Sequence, residues 1–72
     1  MNGTNKPSLF EYVIIWHPNP DQEKDGKKSC IIADRKMILA KSHEAASMAA
    51  SMDIPADKKN ELDQIQICVR PF

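Results

Sequence analysis

His17, Cys30, His43 and Cys68 are the residues best equipped for chemistry in this 72-residue chain, being its two imidazoles and two thiols. Four such groups could hold a tetrahedral zinc ion, and a thiol beside an imidazole could act as nucleophile and base. Their spacing argues against both. Structural zinc ligands come as local pairs from tight turns, and there is no C-x-x-C or H-x-x-x-H here. A cysteine–histidine pair drawn from these residues lacks a third orienting group and an oxyanion turn. They read instead as surface histidines and as buried free thiols, the state expected of two cysteines in apolar, strand-like contexts. Asp21, Glu23 and Asp25 alternate as in a calcium loop, but the terminal glutamate is missing and Lys24, Lys27 and Lys28 interrupt the run. With two glycines, neither phosphate-binding loop can be built. No catalytic residue, cofactor or metal is expected, and the chain is not expected to be an enzyme.

Binding by bulk charge is also disfavoured, because ten basic residues balance ten acidic ones. Lys27, Lys28, Arg35, Lys36 and Lys41 could gather into a small basic patch. The aromatic residues that would interleave it in a single-strand binder cluster elsewhere, so nucleic acid is not the expected partner. No apolar run approaches the ~20 residues of a membrane helix, and Met1 to Ser8 has no apolar signal-peptide core. Asn2-Gly3-Thr4 matches a glycosylation sequon, read as chance. Trp16 and Phe72 are of the types that anchor interfaces, and Arg70 ends the last strand; these three are the expected partner contacts. Trp16 and Phe72 both also have a core reading.

The elements that must position these groups follow from periodicity. Residues 1–8 read as a flexible arm and 9–72 as one domain. Leu9 to Trp16 is aromatic and β-branched, with Phe10, Tyr12, Ile14 and Trp16 on one face and Val13 and Ile15 on the other. A strand apolar on both faces is central in its sheet or covered on its second side. Asp21 to Ser29 reads as a solvated loop. Cys30 to Ala33 and Met37 to Ala40 read as a hairpin turning at Asp34-Arg35-Lys36, with one bent strand as the alternative. Ser42 is a plausible N-cap for a helix through the repeat Ala-Ala-Ser-Met-Ala-Ala-Ser-Met. Its i, i+3, i+4, i+7 stripe of Ala45, Met48, Ala49 and Met52 is expected against the sheet, with Ser47 and Ser51 away. Pro55 stops that helix and opens a short second one through Leu62. Gln64 to Arg70 alternates as a half-buried strand with Ile65, Ile67 and Val69 inward.

The expected fold is α+β: a small two-layer sandwich in the order ββ(β)ααβ. Its antiparallel or mixed sheet has three or four strands, with one main helix and a short second helix. So short a chain cannot cover both faces of its sheet, and the strand apolar on both sides invites a partner. Open sheet edges offer a second route of association, with Trp16 or Phe72 as the anchor.

The opening Phe10-Glu11-Tyr12-Val13-Ile14-Ile15, the charged loop, the alanine-rich helix and the closing Leu62-Asp63-Gln64-Ile65-Gln66-Ile67-Cys68-Val69-Arg70-Pro71-Phe72 resemble small tailed-phage proteins. Those are short single-domain proteins, many without an assigned role and some of them virion components. The resemblance spans residues 9 to 72 and implies a non-enzymatic capsid or tail accessory protein in the virion or the host cytoplasm. Its partner would be a larger phage structural protein or a second copy of the chain. The alternative is a small cytoplasmic regulatory or host-interacting binder.

Overall fold

A computed structural model describes residues 6–72, in the order β1 (Ser8–Trp16), α1 (Pro20–Lys24), β2 (Cys30–Ala40), α2 (His43–Ser51), a 3₁₀ helix (Ala56–Gln64) and β3 (Ile65–Pro71). The three strands form one antiparallel sheet in the order β2-β1-β3. The doubly apolar first strand is therefore central, and the fold is a small α+β domain. Most of the expected arm, and the Asn2 sequon with it, lies outside the described residues; Ser8 already belongs to β1.

Phe10, Tyr12, Ile14 and Trp16 point to the helix side of the sheet and are buried there. Two clusters continue this core. Ala33, Ala50 and Ile54 join Tyr12 and Ile14, while Ala40 and Ala46 join Phe10, with Ile65, Ile67 and Val69 of β3 packed alongside.

The hairpin expected at Asp34-Arg35-Lys36 is not formed, and the bent-strand alternative is what the chain adopts. β2 runs unbroken for 11 residues beside β1. Pairing jumps from Tyr12↔Lys36 to Ile14↔Ala33 and then to Ile15↔Ile31, so β2 carries an extra residue at each of two bulges. Asp34 does accept a local bond from the Arg35 amide at 2.7 Å, which is turn-like chemistry. Two four-residue strands paired only with each other would forgo a long ladder with β1, so the chain bends instead of reversing.

Most of α1 (Pro20–Lys24), a single helical turn, falls within the solvated loop expected at residues 21–29. Asn19 caps it, accepting from the Gln22 amide at 2.8 Å while the Gln22 side chain accepts from the Asn19 amide at 2.9 Å. Pro20 stands in the first turn, where its missing donor does no harm.

α2 begins as expected, with Ser42 Oγ accepting from the Ala45 amide at 3.0 Å. Its rotation differs from the expected stripe. Ala46 and Ala50 are fully buried, Ala45 and Ala49 flank them, and Met48 and Met52 are 72% and 83% exposed. The repeat holds alanine at both candidate stripes, so the ends of the helix choose between them. His43 packs edge-on against Phe10, with ring centres 6.3 Å apart, and donates to the Val69 carbonyl at 3.1 Å. Just beyond the C-terminus, Asp53 accepts from Tyr12 and Ile54 is buried. Residues 43, 46, 50 and 54 share one face at helical spacing, and alanine in the middle lets the helix backbone sit close to the aromatic strand.

The cysteines are both free, but their burial differs from expectation. Cys30 is exposed at the first position of an edge strand, and Cys68 is half-buried in β3.

Ala50→Leu is expected to cost about 1–3 kcal/mol by overpacking, whereas Met48→Ala should stay within about 0.5 kcal/mol. Urea denaturation of the two variants checks this, and the opposite ranking would put the methionine stripe against the sheet.

Candidate functional site

The side of the sheet away from α2 carries no covering layer among the described residues. Strand register arranges its side chains in rows. Leu39 lies opposite Leu9, and Phe72 extends β3 beside it, donating its amide to the Leu9 carbonyl at 2.9 Å. The next row is Met37, Glu11 and Arg70; then come Val13 and Cys68; then Ile31, Ile15 and Gln66. Leu9, Ile31, Met37, Leu39 and Phe72 are all exposed, an apolar surface that water covers unfavourably.

Glu11 interrupts this surface. It is the one charged residue of β1, and its side chain is only 9% exposed. A lone buried carboxylate would be costly, and two arginines remove the cost. Arg70, its direct partner on β3, donates from Nε to Glu11 Oε2, and Arg35 on β2 brings its Nε to 3.7 Å from Oε1. The bulge in β2 makes the second contact. In a regular strand, Ala33 and Arg35 would share a face; the extra residue lets Ala33 enter the core while Arg35 stands over Glu11. Both arginine side chains remain 71% exposed. Between them runs an open groove of about 270 Å³, with Val13 and Cys68 in its lining.

On the covered side, polar groups fasten the helical layer. The phenol of Tyr12 donates to Asp53 Oδ2, and Lys36 Nζ reaches the same oxygen at 3.0 Å. The bond to Asp53, together with burial and the nearby negative charge, pushes the Tyr12 pKa up to about 12. The same bond, assisted by Lys36, holds the Asp53 carboxyl below its ordinary range. Trp16 is buried with its indole N–H donating to Glu61 Oε1 at 3.1 Å, and Lys58 sits 4.5 Å from its ring centre, 3.7 Å from Glu61.

At the end of β1, His17 Nε2 lies 2.7 Å from Gln66 Oε1 and Nδ1 lies 2.7 Å from Ser29 Oγ. An amide oxygen only accepts, so in the neutral tautomer that fits these partners Nε2 donates to Gln66 and Nδ1 accepts from the serine hydroxyl. This is the arrangement nearest to a nucleophile–base pair. The third partner is a neutral amide, which can orient the ring but cannot compensate an imidazolium charge. Gln64 binds the His17 carbonyl and Gln22 at 2.8 and 2.7 Å, which makes the cluster a pin between β1, α1 and the last strand.

Of the three expected partner contacts, Arg70 and Phe72 lie on the open face, whereas Trp16 takes its core reading on the other side. Glu11 and Arg35 were not among the expected site residues. Glu11 carried a signal: a single carboxylate inside a doubly apolar strand requires a cation from a neighbouring strand. Arg35 carried none, since its placement depends on a bulge. Both sheet edges have partial protection, β2 through its bulges and the charged run Asp34-Arg35-Lys36, and β3 through His43 on the Val69 carbonyl.

No family model matches the chain, and no curated protein or solved structure matches it either.

Two outcomes follow from these contacts. Arg35→Ala and Arg70→Ala should each cost about 0–1 kcal/mol, as exposed ion-pair partners do. The double variant should exceed their sum by about 0.5–3 kcal/mol, because Glu11 is then buried alone. Strict additivity in a denaturation cycle would mean that Glu11 is solvated. Ionisation of the single tyrosine can be followed by its phenolate absorbance and should have its midpoint at about 12, moving back towards 10.0 in Asp53→Asn. For Tyr12 the folded pKa is raised, so its stabilisation is complete below the unfolded value and lost as pH climbs towards the folded one. For Asp53 it is lowered, so stabilisation is present above the ordinary carboxylate range and lost as pH falls through the folded pKa.

Proposed function

We propose that the chain is a non-catalytic structural or interaction protein that docks on a larger assembly through the open face of its sheet. The single observation behind this reading is that face itself. Leu9, Ile31, Met37, Leu39 and Phe72 stand exposed in ordered rows on a sheet whose other side is packed. Isolated exposed apolar residues are ordinary, but several in register on one rigid sheet form a surface that association would dry. Glu11 supports the same reading. A carboxylate side chain only 9% exposed between two arginines keeps the centre of the face level and favours a partner of complementary charge. The assembly we propose is a phage particle, the context implied by the likeness of the first strand and the closing segment to small tailed-phage proteins.

Quantitative mass spectrometry of purified particles should find the chain in stoichiometric copies. Met37→Glu with Leu39→Glu should keep the fold, since both side chains are exposed, yet reduce incorporation about tenfold or more, the loss of ~1.4 kcal/mol or more. Undiminished incorporation of that variant would remove the open face as the docking surface. Absence of the parent chain from particles would instead favour a small cytoplasmic binding protein.

A further inference from the structure

We infer that the open face recognises a protein segment carrying a carboxylate among apolar residues, with that carboxylate seated between Arg35 and Arg70. This rests on the docking reading above and names the chemistry of the partner. Glu11 engages each arginine through Nε. A guanidinium has five N–H donors in a planar fork, so the terminal nitrogens of both remain to be used. Among the described residues, neither arginine forms another ion pair. Two cations on one anion leave a local charge of +1, held in place by the buried carboxylate beneath. That is a preorganised site for a second carboxylate, entering from solvent where the first is held from below.

The surroundings decide what carries that carboxylate. Met37 shares the row of Glu11, with Leu9 on one side of that row and Val13 and Cys68 on the other, so a group arriving there must bring apolar neighbours to dry them. A nucleic-acid strand suits the face poorly. Its sugar-phosphate backbone brings no apolar surface to dry these rows, and Phe72 is the one aromatic side chain in them on which a base could stack. A second copy applied face to face would set two +1 centres against each other and offer only a Glu11 that is already paired.

The test uses the full ¹⁵N-labelled chain and three probes: a terminally blocked peptide alternating leucine and valine around a central glutamate, the same peptide with glutamine there, and a single-stranded oligonucleotide. The glutamate peptide should shift the amides of Glu11, Val13, Cys68 and Arg70 and bind about fivefold or more tightly than the glutamine peptide. Arg35→Gln, which leaves Arg70 on Glu11, should shrink that preference. Equal binding of the two peptides would overturn the carboxylate site while leaving an apolar docking face. Failure of both peptides to move these amides would also overturn it, and particle incorporation would still judge the docking reading independently. Stronger shifts with the oligonucleotide would overturn it in favour of phosphate.

Discussion

A sheet that is apolar on both faces needs two covers, and the described residues supply one. That constraint organises the molecule. β1 is the central strand because it has something to bury on each side, and α2 can dry only the side bearing Phe10, Tyr12, Ile14 and Trp16. A domain of this size buries only ~60% of the surface its unfolded chain exposes, so an uncovered sheet face is a large fraction of what remains wet. The covered side is correspondingly tight. α2 has nine residues, too few to hold as an isolated helix, and it exists because Ala46 and Ala50 bring its backbone down onto the aromatic strand.

The polar contacts divide the labour along the same line. On the covered side they act as fasteners at the ends of the helical layer. Ser42 and His43 fix the beginning of α2, Asp53 ties its end to Tyr12 and Lys36, and Glu61 with Lys58 holds the 3₁₀ helix over Trp16. On the open side Glu11 is the only buried charge among the described residues, and its two arginines come from different strands. That pairing joins all three strands at one point. It also converts a charge that would weaken the sheet into a feature with outward-facing donors. The bulges in β2 serve both purposes, since they disrupt an edge that would otherwise invite strand addition and they aim Arg35 at the face.

Much of this was legible in the residues. The two-faced character of Leu9 to Trp16 marked a central strand, Ser42 and Pro55 bracketed the main helix, and the alternation of Ile65, Ile67 and Val69 marked the last strand. Each of these signals is local, carried by side-chain periodicity or by one residue's effect on its own backbone. The same signals implied an α+β sandwich with one face short of a cover. The capping box of Asn19 and Gln22 went unread, because with so few residues following it the turn of α1 has the composition of a charged loop.

What the sequence by itself determined, then, is the α+β class, the first and last strands, the main helix and the shortage of cover. The tertiary structure decided the rest, for reasons that no local pattern contains. Asp34-Arg35-Lys36 has turn chemistry, yet it bulges instead of turning because β1 offers a continuous partner along all of β2. The alanine repeat permits two buried stripes, and the choice fell to contacts at the helix ends, with Phe10 and Val69 at one and Tyr12 at the other. Arg35, Glu11 and Arg70 are far apart in the chain and meet because antiparallel register, shifted by a bulge, sets three strands side by side. Registers and helix rotations are fixed by the sum of many long-range contacts, and that sum exists only once the chain has folded.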